Sequence, residues 1–271
     1  MRYTALYLLF PLMLALGAGC SFRSVDPTAQ GLSYVEGGGQ RQVGDLYLPE
    51  GSGPHPTAVV IHGGGWTGRD RSDMEGVAEQ LAANGYAAFN INYRLAPEHR
   101  FPAPLEDVRS ALRFLESSAE QWNLDTERFI AVGYSSGAHL ALLAAELPAP
   151  DMPEIQAVVA GSAPVDLLQY PDSPVIKKLI GGTPEEYRET WAKASPIRHV
   201  DGTHPPVFLY HATWDKIVQY EDAERMRDAL EEAGVPVELD TRQFIGHLLL
   251  GVWQGPSIND AIEFLDEIGL E

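Results

Sequence analysis

The chain has 271 residues, 45% hydrophobic and 21% charged, which is enough apolar material for one large domain with a proper core. With 38 acidic against 19 basic residues, its formal net charge is −19. Such a surface repels phosphate backbones and argues against a nucleic-acid partner.

Taken in chain order, residues 1–19, MRYTALYLLFPLMLALGAG, carry one charge, Arg2, and a long apolar run interrupted by Pro11. The short polar head and the proline predict a secretory signal peptide rather than a spanning helix. The only cysteine, Cys20, follows at once. LGAGCS resembles the bacterial lipoprotein cleavage site, which implies lipidation at Cys20 and an exported, lipid-anchored envelope protein. Membrane contact is then expected only through that anchor. Gly17 stands where that site usually has an aliphatic residue. Residues 20–31 read as a tether and 32–271 as a single domain.

GLSYVE (31–36) and QVGDLYLPE (42–50) predict a hairpin around Gly37-Gly38-Gly39, and PTAVVIH (56–62) a buried strand. Ser72 and Glu75 have capping-box spacing for a helix that ends at Asn84-Gly85. YAAFNIN (86–92) is a strand, and Pro104 opens a helix with Leu105, Val108, Leu112 and Leu115 on one stripe. Strand 128–133, helix 137–147 and strand 155–161 follow, then some forty irregular residues. Strand 206–212, helix 219–233, strand 235–244 and helix 257–268 finish the chain. This alternation predicts an α/β fold, a mostly parallel sheet with helices on both faces.

Chemistry in such a sheet gathers beyond the carboxyl ends of its strands. Gly133-Tyr134-Ser135-Ser136-Gly137 lies between a strand and a helix, the context of a nucleophile elbow. The turn needs small residues two before and two after the nucleophile. Gly133 and Gly137 fit Ser135; Tyr134 would crowd the turn were Ser136 the nucleophile. Ser136 is left to supply its backbone N–H to a developing oxyanion. His62-Gly63-Gly64-Gly65-Trp66 follows an earlier strand, and its glycines can turn N–H groups toward the same oxygen. His62 is expected to brace that loop.

Asp215, just past a strand end, is placed to orient a histidine, and His247 follows the last strand. Glu221 and Asp222 lie inside the following helix, and His139 sits one turn past Ser135, facing away. His211 is at a strand end beside the acid, and His99, His199 and His204 lie in connecting segments without a matching acid. The order Ser135, Asp215, His247 is that of a hydrolase triad.

On these residues the chain resembles α/β-hydrolase carboxylesterases over nearly its whole length. HGGGW and YRLAPEHRFPAPLEDV (93–108) are similar to signatures of hormone-sensitive-lipase-like esterases. IGGTPEEYRETWAKASPIRHV (180–200) and AGVPVEL (233–239) are similar to bifunctional feruloyl and acetyl-xylan esterases. The resemblance implies the α/β-hydrolase fold, with an eight-stranded sheet whose second strand is antiparallel. It implies Ser135, Asp215 and His247 as triad and Gly63, Gly64 and Ser136 as oxyanion donors. It implies a serine esterase for short acyl esters, acetylated polysaccharide among them, that needs no metal or organic cofactor. The segment before His62 is too short for the helical cap of the hormone-sensitive-lipase group, so only the insert 162–205 can shade the site, through Asp166, Leu167 or Tyr170. Leu248-Leu249-Leu250 departs from the usual glycine and aromatic after the histidine, and His211-Ala212 from the usual His-Gly. The same triad also serves amide hydrolases such as arylformamidases, and the scaffold serves non-catalytic binding proteins.

Overall fold

The computed structural model describes residues 25–271 except Pro148 and Pro150; Cys20 and the expected signal segment lie outside the described residues. Strands β1 (Ala29–Ser33), β2 (Val43–Tyr47), β3 (His55–Ile61), β4 (Ala87–Ile91), β5 (Leu124–Tyr134), β6 (Ile155–Gly161), β7 (Val207–Ala212) and β8 (Val237–Arg242) form one sheet. Their order is β1-β2-β4-β3-β5-β6-β7-β8. Strand β2 is antiparallel to both neighbours, and every pair from β4 through β8 is parallel.

Alternation along each inner strand feeds two cores. Val59 and Ile61 of β3 and Phe129 and Ala131 of β5 face one side. There they meet Leu105, Val108, Leu112 and Leu115 of α2 (Ala103–Ser117), Leu140 of α4 (Ser136–Glu146) and Met226 of α7 (Tyr220–Glu232). Ala58, Val60, Ile130 and Val132 face the other side, against Val77 and Leu81 of α1 (Glu75–Ala83) and Ile258, Ile262 and Leu265 of α9 (Gly255–Glu267). Burial on both faces explains why β3 and β5 read as unbroken apolar runs. The short α3 (Ala119–Trp122) links α2 to β5.

Four expectations change. Strand β1 starts inside the stretch read as tether, because Thr28 N already donates to Leu46 O at 2.7 Å. The Ser72/Glu75 box does not form: Asp70 accepts from Ser72 N at 3.0 Å and caps a 3-10 turn, Arg71–Met74, ahead of α1. The insert is not irregular but holds α5 (Pro174–Ile180) and α6 (Arg188–Lys193), seated by the fully buried Trp191. A further helix, α8 (His247–Val252), stands where only a loop was expected. Among the described residues no helix precedes the turn at Arg71.

Candidate active site

The elbow is held by backbone contact. Ser135 has φ +54° and ψ −119°, a strained conformation for a residue with a side chain. A Cβ at Gly133 would lie 2.4 Å from the carbonyl carbon of Gly137, and one at Gly137 2.0 Å from Ile61 O. Only glycine fits either place, which is why Ser135 rather than Ser136 tops the turn. Ser135 N donates to Gly161 O at 2.7 Å, tying the turn to β6. Ser136 is buried, its Oγ 3.3 Å from Tyr93 Oη.

The glycine loop after β3 lies directly against this turn. A Cβ at Gly63 would come within 3.4 Å of Ser135 Cβ, and Gly64 has φ +116° with Gly68 O filling the space a Cβ would take. Among the described residues, the N–H groups of Gly63, Gly64 and Ser136 find no protein acceptor. Burial pushes the His62 pKa down to about 4, so its ring is neutral near pH 7. Its Nδ1 donates to Gly63 O at 2.6 Å and the ring stacks on Tyr93, centroids 4.4 Å apart. His62 thus braces the loop. Tyr93, which the sequence reading did not single out, ties loop to elbow by donating to His62 O at 3.1 Å.

Ser135, Asp215 and His247 come together at hydrogen-bonding distance. His247, the first residue of α8, sets Nε2 3.0 Å from Ser135 Oγ and Nδ1 2.6 Å from Asp215 Oδ2. Tyr134 Oη donates to the His247 carbonyl and fixes the helix start. Asp215 Oδ1 accepts from Ile217 N and Val218 N, both at 2.9 Å. Burial by itself would raise the Asp215 pKa. Hydrogen bonds from His211 and His247, the His247 charge and the Val218 N–H outweigh it and hold the carboxyl well below its usual range. His211 is the other residue the sequence reading missed: Nε2 is 3.1 Å from Val218 O and 3.4 Å from Asp215 Oδ2. Its position four residues before the acid, at the strand end, was the available signal.

The rival groups are engaged elsewhere. His139 faces Ala194 O at 2.7 Å and Trp66, and His199 faces Lys193 O. His204 pairs with Glu146 at 3.2 Å, and Asp222 is buried against Tyr170 and Arg225. Of the three insert residues singled out, Leu167 is in the core and Asp166 caps its own turn, while Tyr170 reaches the site, where Pro164, Ser173, Val175 and Ile176 of the insert join it.

Two cavities meet at Ser135. The larger, about 530 Å³, is lined by the glycine loop, His247, Leu248 and Val252. The smaller, about 90 Å³, is walled by Trp66, Ser136, Tyr170, Ile176 and Val218. Gly65, Val175 and Ile217 border both.

Comparison with known proteins places this geometry. The BD-FAE family model matches residues 44–230. Esterase LipC of Mycobacterium tuberculosis is 28% identical over 242 residues, which cover 79% of this chain and 59% of LipC; the chain therefore spans little more than half of that relative. A truncated carbohydrate esterase from gut microbiota superposes with a TM-score of 0.81 at 23% identity, covering 90% of this chain and 96% of that one. The acetyl ester-xyloside bifunctional hydrolase of Caldicellulosiruptor lactoaceticus gives a TM-score of 0.75 at 27% identity, covering 84% and 89%.

Proposed function

The chain belongs to the BD-FAE family, and from that premise and the geometry at Ser135 we propose that it is a serine carboxylesterase for short-chain acyl esters. One observation carries the reading: the unbroken run from Asp215 through His247 to Ser135, beside three N–H groups without an acceptor. Ser135 Oγ attacks the ester carbonyl as its proton passes to His247 Nε2, and the carbonyl electron pair moves onto oxygen. The N–H groups of Gly63, Gly64 and Ser136 meet that oxyanion, and each such donor is worth about 3–4 kcal/mol in the transition state. Collapse breaks the ester C–O bond, and the leaving oxygen takes the proton from Nε2. Water then attacks the acyl carbon, giving its proton to the same nitrogen; the bond to Ser135 Oγ breaks, Oγ takes that proton back, and the acid leaves.

The two cavities support a division of the ester between them. His247 must protonate the leaving oxygen, and it lines only the larger one. The alcohol therefore leaves through the 530 Å³ cleft, and the acyl group occupies the 90 Å³ compartment. The small compartment suits a short acyl group, acetyl before butyryl. The likeness to the acetyl ester-xyloside hydrolase supports a second reading of the alcohol side, acetylated polysaccharide.

The test is purified protein on 4-nitrophenyl acetate, butyrate and octanoate beside Ser135→Ala. Turnover should be fastest on acetate and lost in the variant; equal turnover by the variant removes the mechanism, and fastest turnover on octanoate removes the short-acyl assignment. We also place the protein in the cell envelope, exported and lipid-anchored at Cys20, on the strength of LGAGCS after an apolar run. Labelling of expressing cells with radioactive palmitate should mark the wild type and not Cys20→Ser.

A further inference from the structure

The cleft on the histidine side has an unusual wall. After His247 the chain reads LLLGVW (248–253), without a single polar side chain. Helical spacing puts Leu248 and Val252 on one stripe, and Leu249 and Trp253 on the next. Leu250 is fully buried, but the other four stand in water, from 53% exposed at Leu249 to 82% at Val252. A helix apolar on all sides belongs in a core. This one instead lines a cleft with its Leu248 and Val252 stripe, and an exposed apolar surface at a cleft marks a binding site. Met74, Val77 and Ile217 continue it inside the cleft.

The polar side chains there are already engaged with protein. Gln254 donates to Gly251 O at 2.8 Å and accepts from Tyr210 Oη at 2.7 Å. Tyr134 is committed to the His247 carbonyl, while Arg69 and Asp73, paired at 3.0 Å, stay largely open to water. A hydroxyl-rich alcohol entering this cleft exchanges good hydrogen bonds to water for few in return, whereas an apolar one exchanges none.

We infer that the alcohol half of the substrate is apolar and bulky, an alkyl or aryl alcohol, so that the preferred esters are short acyl esters of lipophilic alcohols rather than acetylated glycans. The inference rests on the esterase reading above.

The test is kcat/KM for methyl, propyl and hexyl acetate and for acetylated xylan, followed as acetate release. Primary alkyl alcohols leave about equally well, so the trend reports contact with the cleft. The value should rise about threefold per methylene from methyl to hexyl, and acetylated xylan, counted per acetyl group, should fall below hexyl acetate. In Leu248→Ser/Val252→Ser, scaled to its own methyl acetate value, the rise should flatten. With wild type alone, 1-hexanol should inhibit 4-nitrophenyl acetate hydrolysis competitively at a concentration at least about tenfold below that of 1-propanol, a result that does not depend on the variant's folding. A flat series, or xylan above hexyl acetate, with hydrolysis still abolished by Ser135→Ala, overturns the apolar alcohol and leaves the esterase standing. Loss of all Ser135-dependent ester hydrolysis overturns both.

Discussion

Ser135 and Ser136 are neighbours with separate work. Ser135 carries the strained backbone and the 3.0 Å contact to His247, while the Ser136 side chain reaches only Tyr93, at 3.3 Å. Ser135→Ala should lower kcat for 4-nitrophenyl acetate by at least about 10⁴-fold and abolish fluorophosphonate labelling. Ser136→Ala keeps its backbone N–H and should stay within about fivefold of wild type, since one long neutral hydrogen bond is worth about 1 kcal/mol. A dead Ser136→Ala beside an active Ser135→Ala would reverse the assignment. Gly137→Ala should yield little folded protein, because its Cβ would meet Ile61 O at 2.0 Å; far-UV circular dichroism and soluble yield report it. The two glycines and the serine between them were readable because a tight turn imposes residue size locally. Tyr93 was not, because its partner His62 is joined to it by the fold and by no pattern of neighbours.

Among the elements, the inner strands were legible because burial on both faces demands unbroken apolar runs. The insert and α8 were not, since elements of seven and six residues are too short to show a period. Their stability is tertiary: Trp191, fully buried, donates to Gly182 O at 3.3 Å and pins α6. The first helix start misled for a similar reason, because Asp70 bonds both the backbone and the hydroxyl of Ser72 and leaves it no free cap. On the proposed acyl assignment, the insert limits the acyl group through Tyr170, whose hydroxyl donates to Asp222 and accepts from Gln219 N at 3.0 Å. Tyr170→Ala removes that wall and should raise the butyrate-to-acetate ratio of kcat/KM by about tenfold, the worth of one or two newly accepted methylenes. An unchanged ratio would mean that the acyl group lies elsewhere.

For the whole molecule, buried titratable groups set the response to acid. Burial holds His62 and His139 neutral down to about pH 4, whereas unfolded histidine protonates near 6.5. Between those values the unfolded chain binds more protons, so stability falls as pH drops, by up to about 3 kcal/mol per histidine. Burial raises Glu146 to about 7 despite His204. The folded state therefore keeps a proton that the unfolded state loses above about 4.5, and this contribution falls as pH rises. Two histidines oppose one glutamate, so Tm should drop from pH 7 to pH 5. His139→Gln should shrink the drop and Glu146→Gln deepen it, as read by calorimetry across that range. The direction of β1 bears on the proposed anchor. It runs the same way as β4 and its parallel neighbours, so the chain enters at the sheet edge farthest from the catalytic loops. On the proposed lipidation of Cys20, the anchor would join the domain from the side opposite Ser135. An anchor so attached would leave the apolar wall at Leu248 and Val252 facing away from the bilayer, open to esters from the medium.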